Sequence, residues 1–291
     1  MIIDTYSLNA FTKNNSGGNP AGVVLDAKNL AETEMQKIAS ILGFSETAFL
    51  FPSVQADFQV RYFTPVEEVP ICGHATVGLF SALLQKKKLA SGSYSIETKA
   101  GILTVNATSA GEIFLQQTPP QFLTILSAAE LADSLGLLEN DFHDYLPVQI
   151  VSTGLKDILI QVKSLQLVTN AQPNFPKITA ISQKYQVTGY HLFSTETVTP
   201  AATAHCRNFA PLFDIPEESA TGTSNAALAC YLSKYQQNDQ SNGSCHMIFE
   251  QGYSMGLPSE IQTSLTKKED KIREIFVGGK ASSVQKRLLS I

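Results

Sequence analysis

The chain shows two kinds of hydrophobic pattern, one typical of strands and one typical of helices. Residues 57–63 and 158–162 are rich in β-branched and aromatic side chains and are bounded by turn formers, which predicts β-strands. Residues 33–42 instead place apolar side chains at i, i+3, i+4 and i+7 and are followed by Gly43. This spacing predicts an amphipathic surface helix that ends at the glycine.

Two further apolar runs, residues 75–84 and 226–232, have no polar stripe. A helix that is apolar all round has to be buried on every side. We therefore expect strands to wrap each of these helices. The predicted fold is α+β, with two similar halves, each a curved mixed or antiparallel sheet, or a barrel, around a central buried helix.

A recurring phrase indicates that the two halves are related. Arginine is rare, yet Arg61 and Arg207 open the similar phrases RYFTP and RNFAP. An acidic pair follows each phrase, and a glycine, Gly73 or Gly222, then opens each apolar run. The two arginines lie 146 residues apart, about half of the 291 residues. Self-similarity at that distance indicates duplication of a domain.

Composition and charge exclude several classes of protein. The chain has 291 residues and is 43% hydrophobic, which suits two folded units and excludes a disordered chain. Its net charge of −5 offers no basic surface for phosphate backbones, so we expect no nucleic-acid partner. No signal-peptide start and no apolar run of about 20 residues is present, so we expect a cytoplasmic protein without a membrane partner.

The glycine turns at Gly73 and Gly222 have a chemical consequence. The first N–H groups of a helix have no intrahelical partner and lie at the positive end of its dipole, so they attract anions. If both helix starts face a cleft between the halves, that cleft suits a small carboxylate. An ordinary capped helix start is the alternative that the turns alone leave open.

Several ordered motifs carry a resemblance to known families. Cys72-Gly73-His74 and Thr221-Gly222-Thr223 resemble the two half-sites of the proline racemase and diaminopimelate epimerase superfamily, which each hold a thiol. Since Thr221 cannot supply a thiolate, we do not expect a two-thiol racemase. Most of the chain resembles the PhzF-like (phenazine biosynthesis) family of the same fold. The matching segments are 18–21, 43–49, 61–65, 68–74, 207–211, 217–223 and 251–259.

The resemblance implies a homodimeric, cofactor-independent isomerase that acts on a small carboxylate by general acid/base catalysis. It implies Glu46 as the acting carboxylate and His74 as its partner. Glu46 also stands between Phe44 and an apolar run, so we expect poor solvation to raise its pKa towards neutrality. We expect an N-terminal half of residues 1–117, completed by a C-terminal strand at 276–291, and a C-terminal half of residues 118–275.

The chain departs from the family pattern at three positions. Glu218 stands where the family has Asp, Thr223 where it has Ser, and Leu257 where it usually has Arg. Glu218 and Thr223 complete the expected catalytic set, while the identity of the substrate is left open. Candidate substrate-binding residues are the helix starts Gly73 and Gly222, and Asn19 in a turn that the family places near the site.

The sequence thus predicts an enzyme that abstracts a proton α or vinylogous to a carboxylate and returns it on the same face. The five histidines form no H-x-x-x-H pair, so we expect no metal site. Two other interpretations stay open at this point. One is a non-catalytic protein that binds a small carboxylate, and the other is a racemase that uses Cys72 with Glu46.

Overall fold

The computed structural model describes residues 1–236 and 243–291 and divides the chain into two compact units. Unit 1 comprises residues 1–116 and 278–291, and unit 2 comprises residues 117–277. Each unit combines a mixed sheet with helices, so the α+β prediction is confirmed. Within these described residues, no helix is both long and apolar enough to cross a lipid bilayer.

Unit 1 is a mixed sheet with two helices, its elements numbered along the whole chain. In the sheet order β18-β1-β2-β3-β4-β6-β7-β8, the pairs β2/β3 and β4/β6 are parallel and the other pairs are antiparallel; β5 pairs with β4. The strands are β1 (Ile2–Ala10), β2 (Asn19–Val24), β3 (Thr47–Phe51), β4 (Phe58–Phe63), β5 (Glu68–Val69), β6 (Gly92–Thr98), β7 (Gly101–Ala107), β8 (Ile113–Gln116) and β18 (Gln285–Ser290). The helices are α1 (Glu32–Leu42) and α2 (Gly73–Gln85).

The α2 helix is the centre of unit 1. Every residue from His74 to Leu83 is buried, as expected for a helix without a polar stripe. It contacts β1, β2 and β3 and also β8, at the far end of the sheet order. The sheet therefore curves around the helix. The amphipathic helix α1 ends at Gly43, whose φ of 68° lies in the left-handed region that glycine accepts readily.

Unit 2 repeats this plan with additional short helices. The sheet order is β9-β10-β11-β12-β13-β15-β16, with β14 paired to β13. The strands are β9 (Gln121–Leu126), β10 (Val148–Ser152), β11 (Lys156–Gln161), β12 (Gly189–Ser194), β13 (Ala204–Ala210), β14 (Ile215–Glu218), β15 (Gly243–Gln251), β16 (Ser259–Lys268) and β17 (Lys271–Gly279), whose last residues belong to unit 1. The helices are α3 (Ala128–Leu131), α4 (Leu165–Asn170), α5 (Phe175–Tyr185) and α6 (Gly222–Tyr235).

The strand pairings support the duplication that the sequence indicates. In unit 2 the parallel pairs are β11/β12 and β13/β15, the same places in the order as β2/β3 and β4/β6 in unit 1. The α6 helix takes the place of α2: residues Ser224 to Leu232 are all buried, and the helix contacts β10, β11 and β16. Both predicted buried helices are therefore present.

The repeated arginine phrase forms the same ion pair in each unit. Arg61 donates through Nε and Nη2 to the two carboxylate oxygens of Glu68, at 2.8 and 2.6 Å. Arg207 does the same to Glu217, at 2.9 and 2.8 Å. Each pair links a strand to the short strand that leads into the buried helix, so it fixes the entry to that helix.

The Arg207–Glu217 ion pair of unit 2 has a more buried arginine than the Arg61–Glu68 ion pair of unit 1, and we expect it to contribute more to stability. Arg207 also donates through Nη1 to the carbonyls of Val168 and Ala171, at 3.2 and 2.8 Å. A lysine cannot reproduce this planar fork, so Arg207→Lys should destabilise the protein by about 2 kcal/mol or more, measured by urea denaturation. The control is Arg61→Lys, because that side chain is 24% exposed and should cost about 1 kcal/mol or less. Equal losses in both variants would contradict this account.

Candidate active site

An ion pair lies at the start of α2 in unit 1. Glu46 directly precedes β3, and His74 is the second residue of α2. Their side chains are 17% and 6% exposed, and Glu46 Oε2 lies 3.2 Å from His74 Nε2. Since that oxygen has no directional hydrogen bond, the contact is electrostatic and leaves a lone pair to accept a proton.

The His74 ring is held from several sides. Asn19 Nδ2 lies 3.4 Å and Cys72 Sγ 3.3 Å from Nδ1, and Ser45 Oγ lies 3.3 Å from Nε2. The structure thus brings together the predicted residues Asn19, Glu46 and His74. Asn19 is the first residue of β2 rather than part of the preceding turn. Sequence reasoning did not single out Ser45, although it lies in the matching segment 43–49.

The expected rise in the pKa of Glu46 is wrong. Burial does act to raise the pKa of this carboxyl, but the charge of His74 and the contacts with Ser45 and Cys72 outweigh it, so the pKa is lowered. For His74, burial acts to lower the pKa, but the interactions with Cys72 and Glu46 raise it well above the ordinary value. At neutral pH the pair is therefore a carboxylate beside an imidazolium.

Cys72 is the residue before α2 and completes a cluster with Glu46 and His74. One donor atom from each of the three lies within 4.8 Å of the others, an arrangement that sequence spacing did not reveal and that could hold a metal ion. Metal binding requires a thiolate, however, and burial together with the charge of Glu46 raises the pKa of Cys72 to about 11. A metal ion bound there would have to displace the thiol proton of Cys72 and the proton that His74 carries at neutral pH.

The starts of α2 and α6 differ from those of α3, α4 and α5. The side chains of Ser127, Ser164 and Asn174 cap α3, α4 and α5, whereas neither Cys72 nor Thr221 caps the helix that follows it. At Gly73 an added Cβ would meet no atom within 4 Å, so the space beside this helix start is open. An uncapped, open helix start is a suitable place for an anion.

Unit 2 places Glu218, Gly222 and Thr223 at the start of α6. Glu218 accepts a hydrogen bond from the hydroxyl of Thr221 rather than from Thr223. The Thr223 carbonyl accepts from Thr153 Oγ1 at 3.1 Å. In the sequence, Thr221 stands out only as the residue at a thiol position of the superfamily, and its contact with Glu218 is visible only in the fold.

Leu257, the third departure from the family pattern, is half-buried and follows a short 3₁₀ turn, residues 253–255. That the predicted residues of unit 1 and unit 2 form one site stays a prediction.

The ion pair gives a prediction for His74. In Glu46→Gln the negative charge beside the imidazolium is lost, so the pKa of His74 should fall. Titration of the histidine ring protons by NMR measures this change. Glu67→Gln is the control, since Glu67 is exposed, and it should leave the His74 titration unchanged. A His74 pKa that is the same in native protein and Glu46→Gln would exclude the ion pair.

The chain is similar to known proteins both in sequence and in structure. The family model described as "Phenazine biosynthesis-like protein" (PhzC-PhzF) matches residues 8–287. The "Uncharacterized isomerase YfhB" of Bacillus subtilis is 37% identical, over 97% of each chain. The crystal structure of a Bacillus anthracis phenazine biosynthesis protein of the PhzF family is 34% identical, with a TM-score of 0.92 over 100% of each chain.

A more distant structure shares the fold. A hydroxyproline epimerase from Agrobacterium vitis is 12% identical, with a TM-score of 0.62 over 100% of this chain and 93% of that one. At that identity the likeness concerns the fold alone. The match to the family model over nearly the whole chain is the stronger result, and the chain therefore belongs to the phenazine biosynthesis-like PhzC-PhzF family, whose members include proteins named as isomerases.

Proposed function

We propose that this protein is a cofactor-independent isomerase that moves a proton on a small carboxylate by general acid/base catalysis. The observation that carries the proposal is the Glu46–His74 ion pair, 3.2 Å long, at the uncapped start of a buried helix. The naming of relatives as isomerases and the fold shared with an epimerase support the reaction class.

Glu46 is the proposed base. Its ionised carboxylate takes a proton from a carbon α or vinylogous to the carboxylate of the substrate, and the electron pair of that C–H bond passes into an enolate. The Glu46 carboxylic acid then returns the proton to another carbon on the same face of the molecule, so that the double bond shifts and the substrate is isomerised. The proton that Glu46 removes is the one that it returns, so Glu46 is ionised again at the end of the cycle.

His74 supplies positive charge throughout this cycle. Its raised pKa keeps the ring protonated at neutral pH, and this charge favours both the ionised Glu46 and the enolate that replaces it. The N–H groups at Gly73 are the proposed partners of the substrate carboxylate. In unit 2, Gly222, Thr223 and Glu218 are proposed to complete the site.

Loss of the Glu46 carboxylate should abolish proton transfer. We expect Glu46→Gln to reduce solvent-deuterium incorporation by about a hundredfold or more, because the amide cannot accept the proton. The assay incubates the protein in D₂O with a panel of small carboxylates that bear an α or vinylogous proton, and follows exchange by ¹H NMR. Glu67→Gln, which changes an exposed glutamate, is the control and should exchange as the native protein does. Equal exchange in native protein and Glu46→Gln would refute the assignment, and saturable binding without exchange would favour a binding protein.

A second candidate is a racemase in which Cys72 acts with Glu46. It is favoured by the 3.3 Å distance between Cys72 Sγ and His74 Nδ1, within reach of proton transfer. The raised pKa of Cys72, about 11, suits a thiol that donates a proton better than a thiolate that takes one.

The substitution Cys72→Ala separates the two candidates. If Glu46 acts alone, exchange should stay within about threefold of the native rate, because the thiol is then only a small buried side chain. If Cys72 is the second acid/base, exchange should fall by about a hundredfold or more. Cys206→Ala, which removes another fully buried thiol, is the matched control for the loss of packing.

A further inference from the structure

Unit 2 contains a buried polar network that the family resemblance does not explain. Its side chains come from five strands and the start of α6, and six of the eight are at most 3% exposed. The network runs from Asp157 on β11 to Glu218 on β14. The intervening members are Ser224, Asn208, His191, Asn225, Gln251 and Thr221.

The Asp157 end fixes the first orientations. Ser224 Oγ lies 2.6 Å from Asp157 Oδ2, and burial raises the pKa of Asp157 to about 7, so either oxygen can be the donor in this contact. In both states of Asp157 the Ser224 oxygen accepts from Asn208 Nδ2, at 3.1 Å, because an amide nitrogen can only donate. The same amide nitrogen lies 3.2 Å from His191 Nδ1, which must therefore be an acceptor. His191 is then the neutral tautomer with its proton on Nε2. Burial lowers the pKa of His191 to about 4, in agreement with a neutral ring.

The orientation of His191 in turn sets the donors and acceptors of the hydrogen bonds made by Asn225 in α6 and by Gln251. His191 Nε2 donates to Asn225 Oδ1 at 3.3 Å, so the Asn225 amide nitrogen faces Gln251 Oε1, at 2.9 Å. Gln251 Oε1 also accepts from the Thr221 N–H at 3.2 Å. With its oxygen held by two donors, Gln251 must present its nitrogen to Thr221 Oγ1, at 3.0 Å, and to the carbonyl of Glu218, at 2.8 Å.

The last step orients the hydroxyl of Thr221. Because Thr221 Oγ1 accepts from Gln251, its own proton is directed to Glu218 Oε2. Every amide and the ring between the two carboxyl groups thus has a single orientation, and so does the hydroxyl of Thr221. Side-chain amides do not pass protons on, so this chain of hydrogen bonds is suited to holding a group in place and not to conducting protons.

We propose that this network positions the Glu218 carboxylate, with Thr221 and Gln251 as positioning residues that act through it. The inference rests on the proposed function in one respect, since Glu218 is catalytic only if the protein is an acid/base isomerase. The orientation of Glu218 itself can be tested without a substrate.

The decisive variants are Thr221→Val, which removes the hydroxyl, and Thr221→Ser, which keeps it. Thr221 is half-buried and its hydroxyl caps no backbone group of α6, so both variants should fold. With no substrate present, we expect the titration midpoint of the Glu218 carboxyl, followed by ¹³C NMR, to rise in Thr221→Val and to stay native in Thr221→Ser, because the hydroxyl stabilises the ionised form. An unchanged midpoint in Thr221→Val would overturn the proposal.

Activity provides the second readout, with a carboxylate from the panel that exchanges with native protein. Thr221→Val should lower kcat about tenfold or more with little change in KM, and Thr221→Ser should restore it, since one hydrogen bond to a charged group is lost and regained. Native kcat in Thr221→Val would also overturn the proposal. If native protein exchanges none of the panel, the acid/base function is in question, while the carboxyl titration still decides the positioning.

Gln251→Glu tests the network one residue further away. A glutamate can still accept from the Thr221 N–H and from Asn225, but it cannot make the two donations of the amide. We expect the same changes as in Thr221→Val. Gln149→Glu is the matched control, a buried glutamine of the same unit that bonds to Leu123 and Tyr235 outside the network, and it should leave the Glu218 midpoint unchanged.

Discussion

A helix that has no polar face can be buried only if a sheet covers all of its sides, and this constraint organises each unit. In unit 1, α2 contacts β1, β2 and β3 and also β8 at the far end of the sheet order, and in unit 2, α6 contacts β10, β11 and β16. With the sides of the helix closed by strands, the N-terminus is where backbone N–H groups and polar side chains can still act on a ligand. The residues proposed to bind and turn over a substrate accordingly include 72–74 and 221–223, the starts of the two buried helices.

The two copies have diverged at the position of Glu46, the proposed base. Phe63 and Phe209 each lie two residues after the repeated arginine, so they are equivalent positions. Their strand partners are Thr47 in unit 1 and Tyr190 in unit 2. The residues that precede these partners, Glu46 and Gly189, therefore correspond to each other. A Cβ at Gly189 would lie 1.9 Å from the carbonyl oxygen of Phe209, so no side chain fits there. Unit 2 has kept the helix start but has a close backbone contact where unit 1 holds its carboxylate.

Sequence patterns predicted the helices and the repeat because both depend on local spacing. The period of apolar residues identified α1, α2 and α6, and the glycine after α1 marked its end. The pairing of Glu46 with His74 came only from a family resemblance, since the two residues are distant along the chain. The prediction that the pKa of Glu46 is raised was wrong for the same reason. The apolar neighbours of Glu46 are visible in the sequence, whereas the opposing charge of His74 lies close to it only in the fold. Thr221 and Gln251 lie in segments that match the family. The orientation of their side chains, however, depends on hydrogen bonds to residues that are distant along the chain.

The lowered pKa of Glu46 changes which groups of the proposed site would contribute most to the rate of proton transfer. A carboxylate stabilised by an imidazolium is a weaker base than one in an apolar pocket, so Glu46 alone gives less driving force for removing a proton from carbon. The same imidazolium, however, favours the negative charge that develops on the substrate, and so do the N–H groups of an uncapped helix start. Proton transfer in such a site depends more on stabilising the enolate than on a strong base. That dependence gives a physical reason for the order seen around His74, whose ring has Cys72 Sγ at Nδ1 and Ser45 Oγ at Nε2.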